Sequence, residues 1–337
     1  MELLKRLCSF VAPSGSEGKL REFILSEIKD YAEKCEVDAL GNLIVSVKGE
    51  KRASKKLMLM AHMDEVGFIV TDIMSNGLLK FNTIGGFCEE VLCGKSVEFK
   101  NGIKGVIIPA VALHQTSEKE RKIAPSVDDL FIDIGALDKE DAEKFVCLGD
   151  KASFEPNFSE TEKCVISKAL DDRIGVYILI NLIKKGLLYD CVFVFSVQEE
   201  VGLRGATTSA NRVSPDMAII IDSTTASDLP EVSGSDRVCL LGKGGAVSFM
   251  DRATVYDEGF YKLIMKTAEK NSIPVQFKTR VAGGNDAGAV HKSGNGVVCA
   301  AVSTPCRYIH SAFSVAAKSD IKAIEDLLRA TVSEILA

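Results

Sequence analysis

The sequence predicts an α/β protein in which a small, mainly β domain interrupts a larger α/β domain. Apolar runs that suit buried strands alternate with helical patterns near the start of the chain and again through its second half. Between them, short runs of alternating polar and apolar residues are separated by Gly and Asn turns, which is typical of antiparallel β-structure. We therefore expect one domain formed by residues 1–70 and 163–337 and an inserted β domain formed by residues 71–162.

The composition is that of a globular chain and argues against two classes of partner. The 337 residues are 46% apolar and 26% charged, and the formal net charge is −6. We expect no nucleic-acid partner, because no basic stretch is present to neutralise phosphates. We also expect no membrane partner, since no apolar run reaches the length of a span and the first residues lack a signal-peptide core. Ten scattered cysteines without Cys-x-x-Cys spacing favour reduced core thiols and hence a cytoplasmic protein.

The predicted elements follow in order along the chain. Ser14 and Glu17 have the spacing of a capping box ahead of an amphipathic helix. Mostly apolar runs at residues 55–61 and 191–197 predict strands that are buried on both faces, since neither run alternates with polar residues. The other candidates are a strand at residues 42–47, helices at 139–145 and 260–271, a strand at 296–302 and a closing helix from residue 319.

Residue types that bind metal ions follow several of the predicted strands. In open α/β sheets the carboxyl ends of the strands meet at one edge, where ligands and catalytic groups gather. The candidates are His62 and Asp64 after the strand at 55–61, Glu199 and Glu200 after the strand at 191–197, Asp222 after the apolar run MAIII, His310 after the strand at 296–302, and Asp171 and Asp172 at the start of a helix. Separate strands are therefore expected to deliver these side chains to one place.

These residue types suit hydrolysis that is assisted by metal ions. Two histidines and several carboxylates without a thiolate are a donor set for zinc or cobalt, and manganese is also compatible. A carboxylate can bridge two ions, and two ions roughly 3.5–4 Å apart polarise a carbonyl and activate a water molecule. Glu199 and Glu200 are adjacent and point different ways, so we expect different roles for them. A carboxylate that binds no metal can act as general base, and Asp64 is placed to orient the imidazole of His62.

Five motifs resemble one known family. In chain order they are AHMDEVGF, ALDDRIG, QEEVGLRGA, IIDST and RYIHS, and they resemble the dinuclear aminopeptidases of peptidase family forty-two, the tetrahedral or glutamyl aminopeptidases, some of which carry an endoglucanase label. The resemblance spans essentially the whole chain. It implies a phosphorylase/hydrolase-like, mixed-sheet catalytic domain with an inserted small β-barrel (PDZ-like) dimerisation domain. It also implies self-association from dimers to hollow dodecamers, and removal of N-terminal residues from short peptides.

The resemblance further implies a role for each candidate residue. The metal ligands would be His62, Asp171, Glu200, Asp222 and His310. Asp171 would bridge two divalent ions, zinc or cobalt with manganese as a further option, although the residues alone do not separate it from Asp172. Glu199 would be the general base and Asp64 the orienting partner of His62. The Asp171–Asp172 peptide bond would be cis, while the side-chain preference and the physiological metal stay open.

Three alternative functions are compatible with parts of this pattern. A glycosidase would use Glu199 and Glu200 as its acid pair, but such carboxyl groups lie roughly 5–9.5 Å apart on opposite sides of the bond. The chain also has no Trp to stack on a sugar. Another dinuclear hydrolase (a deacylase, carboxypeptidase or dipeptidase) would use the same ligands. A non-catalytic assembly or binding protein would carry a vestigial site, and the intact Glu199 argues against it.

Several further residues carry weaker signals. Arg252 and Asn285 are candidates for substrate contact or for ordinary surface roles. The glycine-rich segments 242–245 and 283–288 lack the spacing of phosphate-binding loops, so we expect loops at the rim of the active site. His114 and His291 lie outside the motifs, and we expect surface or packing roles for both.

Overall fold

The structure of the protein is a computed structural model that describes residues 1–110 and 126–336, so His114 lies outside the described residues. Its helices are α1 (Glu2–Cys8), α2 (Gly18–Ile28), α3 (Lys139–Ala142), α4 (Leu170–Lys185), α5 (Arg204–Val213), α6 (Glu258–Lys270), α7 (Ala287–Val290) and α8 (Lys318–Ile335). Its strands are β1 (Lys34–Val37), β2 (Leu43–Val47), β3 (Leu57–His62), β4 (Gly67–Ile73), β5 (Leu79–Ile84), β6 (Ser96–Phe99), β7 (Lys104–Pro109), β8 (Leu130–Asp133), β9 (Lys151–Phe154), β10 (Ser159–Glu160), β11 (Cys164–Ser167), β12 (Cys191–Ser196), β13 (Met217–Thr225), β14 (Gly245–Ser248), β15 (Val275–Lys278), β16 (Val298–Arg307) and β17 (Ser314–Ala317).

A mixed β-sheet forms the centre of the larger part of the molecule. The strands run in the order β1-β2-β12-β3-β13-β16-β17-β11-β10, and β14 and β15 extend the sheet from β16. The central strands β12, β3, β13 and β16 are parallel to one another, with Phe193 opposite Leu59 and Asp222 opposite Ser303. The predicted α/β class is confirmed, and the carboxyl ends of these parallel strands lie at one edge of the sheet.

Helices cover this sheet because each presents an apolar face to it. α4 is buried along most of its length and packs against β3 and β13. α8 buries residues at helical spacing, among them Ile324 and Leu328, and packs against α4, α6 and β16. Within residues 1–110 and 126–336, none of the helices has both the length and the apolarity that a membrane span requires.

A closed antiparallel barrel is inserted in the chain between β3 and β10 of the sheet. Its strands follow one another in the order β4-β5-β8-β7-β6-β9, and β9 pairs with β4 to close it. In β5, buried Leu79 and Phe81 alternate with exposed Lys80 and Asn82, which is the pattern of a strand with one face in a core. The expected β module is therefore confirmed as a barrel. The domain boundaries at residues 71 and 162, the PDZ-like character and the dimerisation role stay predictions; β4 begins at residue 67.

The predicted capping box ahead of α2 is wrong. The helix begins at Gly18, its N-cap residue is Glu17, and the side chain of Glu17 caps no helical N–H. Instead, Ser14 Oγ donates to Asp64 Oδ2 at 2.6 Å, and Glu17 Oε1 accepts from the backbone N–H groups of Gly15 and Gln198 at 2.8 and 3.2 Å. The two side chains thus hold the segment before α2 against residues that follow β3 and β12.

Candidate active site

A cavity of about 680 Å³ opens at the carboxyl edge of the parallel strands. Six of the seven residues predicted for the site line it: His62, Asp171, Glu199, Glu200, Asp222 and His310. The seventh, Asp64, is fully buried and does not line the cavity. The structure therefore brings together side chains that are up to about 250 residues apart along the chain, as the order of the parallel strands predicts.

The side chains reach the cavity from separate elements. These elements are β3 for His62, β13 for Asp222, the turn after β12 for Glu199 and Glu200, the turn after β16 for His310, and the start of α4 for Asp171. Gln198 and His310 both have a φ of 57°, a left-handed conformation that turns the chain sharply at these points. Sharp turns directly after strands thus aim the side chains into the cavity.

The imidazoles and carboxylates form two groups that share Asp171. In the first group, His62 Nε2 lies 3.3 Å from Asp171 Oδ1 and 3.7 Å from Asp222 Oδ1. In the second group, His310 Nε2 lies 3.4 Å from Asp171 Oδ2 and 3.2 Å from Glu200 Oε2. The donor atoms of each group lie within 4.8 Å of one another, so each group could hold a metal ion. The two carboxylate oxygens of Asp171 face two different histidines.

Two further observations concern the adjacent glutamates. A third group of donor atoms within 4.8 Å of one another combines His62 with Glu199 and Glu200, so the geometry alone also allows Glu199 to be a ligand. Glu200 Oε1 is buried and, within the described part of the chain, has no hydrogen-bond partner. A buried carboxylate oxygen without a partner is costly, and a bound cation would satisfy it.

The start of α4 turns Asp171 toward the cavity and Asp172 away from it. The Asp171–Asp172 peptide bond is cis, as the family resemblance implied, and neither residue has helical dihedral angles. Asp172 Oδ1 accepts from the backbone N–H of Gly175 at 3.0 Å. A Cβ atom at Gly175 would lie 2.2 Å from Asp172 Oδ2, so only glycine leaves room for this carboxylate. Of the two aspartates that the sequence left open, Asp171 is the one that lines the cavity.

Asp64 connects three segments beneath the cavity. Its carboxylate accepts from Ser14 Oγ at 2.6 Å, from the Glu199 N–H at 3.0 Å and from the Glu200 N–H at 3.2 Å. Its backbone carbonyl lies 3.2 Å from His62 Nδ1, and its Oδ1 lies 3.5 Å from the same nitrogen. Asp64 therefore contacts the imidazole, as expected, and also holds the backbone of both glutamates, which the sequence did not indicate.

Burial and crowding perturb the acid–base groups of the site. Burial raises the pKa of Asp222 to about 7, and the neighbouring Asp171 carboxylate adds to this effect. Burial opposes the charge on His310, but the carboxylates of Asp171 and Glu200 outweigh it and raise its pKa to about 11. Burial also raises the pKa of Glu199 well above its ordinary value. The site holds more carboxylates than imidazoles, and bound cations would compensate this excess of buried negative charge.

A buried ion network supports the site, and the sequence analysis missed it. Lys168 Nζ donates to both carboxylate oxygens of Glu65 at 2.7 and 2.8 Å and to Ser153 Oγ of β9 at 3.1 Å. Arg173 donates to Glu65 at 3.1 Å and to the Met63 carbonyl at 3.0 Å. The network thus ties the barrel and α4 to the segment that directly follows β3. Glu65 and Arg173 stand inside the quoted motifs, but no local pattern pairs residues more than 100 positions apart.

Three cationic side chains, Arg252, Lys278 and Arg280, also line the cavity, and we call them the cationic wall. Of the two candidates for substrate contact, Arg252 therefore lies at the cavity, whereas Asn285 does not. The Asn285 amide is buried and donates to the Tyr256 hydroxyl at 2.9 Å. Lys278 and Arg280 carried no signal in the sequence that distinguished them from other surface charges.

The two glycine-rich segments differ in position. Gly283 and Gly284 line the cavity, as expected. The segment 242–245 does not line it, so that prediction is wrong: the N–H groups of Gly242 and Gly244 donate to the Asp320 carboxylate at 2.7 and 2.8 Å. His291 has the expected packing role, because its Nδ1 lies 2.6 Å from the Ala287 carbonyl of α7.

Known proteins are similar to this chain in sequence and in fold. A sequence profile of the family described as M42 glutamyl aminopeptidase matches residues 41–327. One relative is a protein of Acetivibrio thermocellus that is named provisionally as an aminopeptidase. The two sequences are 40% identical over 329 residues, and the match covers 97% of this chain and 96% of that protein. A lysyl aminopeptidase of Pyrococcus furiosus is 31% identical over 346 residues, 99% of this chain and 97% of that protein.

Solved structures agree over the whole fold. The TET aminopeptidase of the marine sediment archaeon Thaumarchaeota archaeon SCGC AB-539-E09 is 32% identical with a TM-score of 0.93, and the match covers 98% of this chain and 94% of that one. The Pyrococcus horikoshii TET1 peptidase, described as able to assemble into a tetrahedron or a large octahedral shell, is 36% identical with a TM-score of 0.84 and 98% of each chain covered.

The mixed sheet, the inserted barrel and the aminopeptidase relatives together define the class of the protein as a peptide hydrolase. More narrowly, the chain belongs to the M42 peptidase family, because the family profile matches most of its length and relatives above 30% identity cover nearly all of it. The family resemblance of the five motifs is confirmed.

Proposed function

We propose that the protein is a metal-dependent aminopeptidase that removes N-terminal residues from short peptides, with two divalent ions bound in its cavity. The observation that carries this proposal is the position of Asp171, whose two carboxylate oxygens face His62 and His310. A carboxylate shared in this way suits a bridge between two ions. Glu200 Oε1, which has no hydrogen-bond partner among the described residues, supports the same interpretation.

The donor atoms divide into two sets of ligands. His62, Asp171 and Asp222 would hold one ion, and Asp171, Glu200 and His310 would hold the other. Zinc or cobalt fits these nitrogen and oxygen donors, and manganese is also compatible. The chemistry that such ions supply is polarisation of the scissile carbonyl and a lower pKa for a water molecule.

Glu199 is the general base of the proposed reaction. Its carboxylate belongs to neither ligand set, and burial raises its pKa above the ordinary value. As general base it would take a proton from water and pass it to the leaving amine. Asp64 is the orienting partner of His62: its carbonyl and carboxylate oxygens keep the proton on His62 Nδ1 and leave Nε2 free to act as a ligand.

We further propose that residues 1–70 and 163–337 form the catalytic domain and that residues 71–162 form a PDZ-like domain for assembly from dimers to a dodecamer. The tetrahedron or octahedral shell described for the Pyrococcus horikoshii relative supports self-association into a large assembly. A closed shell would admit short peptides and exclude folded proteins. Light scattering tests the assembly, and a particle at the chain mass of 36.4 kDa would contradict it. The cytoplasm is the proposed compartment because all ten cysteines are unpaired thiols.

A panel of amino-acid p-nitroanilides tests the proposed function. The metal-stripped protein is expected to be inactive and to recover when zinc, cobalt or manganese is restored, and activity that survives stripping would contradict the proposal. N-acetylated substrates should resist hydrolysis because the free α-amino group is absent. Cleavage of N-acyl groups, or trimming from the carboxyl end, would make the protein a deacylase or carboxypeptidase instead. Soluble cellulose, assayed in parallel, is expected to remain intact, and its hydrolysis would indicate a glycosidase.

The side-chain preference does not follow from the relatives. The family description names glutamate, whereas the Pyrococcus furiosus relative is named for lysine, which carries the opposite charge. A preference of this chain must therefore be argued from the walls of its own cavity.

A further inference from the structure

The turn that follows β12 and carries Glu199 is held by side chains from the first part of the chain. Four successive backbone N–H groups, those of residues 197–200, each donate to a side-chain oxygen. The acceptors are Asn42 for the first group, Glu17 for the second and Asp64 for the last two, at distances of 3.0–3.2 Å. Side chains from distant segments therefore fix the course of this turn.

Glu17 holds the residue of this turn that has an unusual backbone conformation. Gln198 has a φ of 57°, in the left-handed region that residues other than glycine rarely adopt. Such a conformation persists only where the surrounding contacts fix it, and the N–H of Gln198 donates to Glu17 Oε1 at 3.2 Å. Because Gln198 directly precedes Glu199, a change of φ at Gln198 would redirect the side chain of Glu199.

Glu17 makes this contact instead of capping its own helix. It occupies the N-cap position of α2, but its side chain caps no N–H group of that helix. Its Oε1 atom accepts from the N–H of Gly15 at 2.8 Å as well as from that of Gln198. Only 5% of Glu17 is exposed, and hydrogen bonds from N–H groups stabilise a carboxylate that is buried in this way. The side chain therefore joins the start of α2 to the turn after β12.

We propose that Glu17 is a positioning residue for the reaction, whose carboxylate fixes the backbone at Gln198 and thereby directs the carboxylate of Glu199 into the cavity. The inference rests on the proposed function, in which Glu199 is the general base. Glu200 would also be fixed by the ion that it binds, whereas Glu199 belongs to neither ligand set and depends on the backbone for its position. Loss of the Glu17 contact should therefore disturb proton transfer and leave metal binding intact.

The test is a double-mutant cycle in the metal-loaded protein. Glu17→Ala removes the acceptor, and Glu17→Gln keeps an oxygen that can accept from Gln198. Each variant is measured alone and combined with Glu199→Gln, by kcat and KM on the Leu p-nitroanilide and by elemental analysis of metal per chain. Asp320→Ala is the matched control, because the buried Asp320 carboxylate also accepts from two backbone N–H groups but holds the segment 242–245, which does not line the cavity. Circular dichroism and Tm establish that each variant folds, and Glu17→Met replaces Glu17→Ala if the latter does not.

Glu17→Ala should lower kcat about 10- to 100-fold, the strength of one hydrogen bond to a charged group, while KM and metal content stay unchanged. Glu17→Gln should retain most of the wild-type kcat, and Asp320→Ala should leave kcat unchanged. In the Glu199→Gln background, Glu17→Ala should have no further effect on kcat, because both changes remove the same function.

Four results would overturn the inference: a wild-type kcat in Glu17→Ala, an equal loss in Asp320→Ala, a loss of metal in proportion to activity, and a loss that persists in the Glu199→Gln background. Each of them leaves the aminopeptidase function standing, since the wild type still hydrolyses the anilide. If the wild type hydrolyses no substrate, the proposed function fails, and hydrogen–deuterium exchange still decides whether Glu17 fixes the turn. The peptide that covers residues 197–203 should exchange faster in Glu17→Ala than in the wild type, and equal exchange would show that Glu17 does not hold it.

Discussion

Replacement of Glu199 by Gln separates proton transfer from metal binding. Gln has the shape of Glu but cannot accept a proton, and the backbone N–H of residue 199 would still donate to Asp64 Oδ1, as it does at 3.0 Å in the wild type. Neither of the two proposed ligand sets contains Glu199. We therefore expect Glu199→Gln to fold normally and to keep its full complement of metal.

The loss of activity can be estimated from the role of the residue. A positioned general base contributes roughly 10²–10⁴ in rate, which corresponds to about 3–5 kcal/mol in the activation free energy. Burial, with Asp222 and Glu200 nearby, raises the pKa of Glu199 above its ordinary value. We expect kcat to fall by roughly 10²–10⁴ while KM changes little.

The assay combines kcat on an anilide substrate with elemental analysis of metal per chain. Glu200→Gln is the matched control, because it makes the same change one residue along and removes a proposed ligand. The control should lose metal and activity together, whereas Glu199→Gln should lose activity alone. If Glu199→Gln loses both in equal proportion, the third donor group with His62 is the one that binds an ion, and Glu199 is a ligand.

Three further outcomes are expected. Asp64→Asn should weaken metal affinity or activity roughly 10- to 100-fold, because an amide cannot accept all the hydrogen bonds of the carboxylate; an unchanged Kd in a chelator competition would contradict this. Lys168→Met should lower the free energy of unfolding by about 3–5 kcal/mol, because it leaves Glu65 less compensated, and a wild-type urea midpoint would refute it. The metal-free protein should become less stable as pH rises. The reason is that the pKa of Asp222 is raised from 3.8 to about 7 and that of His310 from 6.5 to about 11, so both groups hold their protons more tightly in the folded than in the unfolded state. The increase in Tm on addition of zinc should therefore be larger at pH 8 than at pH 6, and the reverse order would count against the proposed ligands.

Much of the candidate site could be predicted because an apolar run in the sequence marks a buried parallel strand and shows at which residue that strand ends. The apolar runs before His62 and Glu199 correspond to β3 and β12, which pair in register with Ser196 opposite His62. A residue that directly follows such a run must reach the common edge of the sheet. This is why side chains far apart in the sequence could be assigned to one cavity before their distances were known.

The remaining features depend on contacts between distant segments. Ser14 and Glu17 have the local spacing of a capping box, but tertiary partners near the cavity take both side chains. Asp171 and Asp172 could not be separated, because only the dihedral angles at the start of α4 decide which carboxylate faces the cavity. Lys278 had no local signal, because nothing in the short run Val275–Lys278 indicates that its last residue lines the cavity.

Anomalous diffraction from a crystal of the metal-loaded protein tests the central claim most directly. The account predicts two peaks in the cavity, roughly 3.5–4 Å apart, with Asp171 between them, His62 and Asp222 at one and Glu200 and His310 at the other. A single peak, or peaks that do not contact Asp171, would contradict the proposal that this carboxylate is shared by two ions.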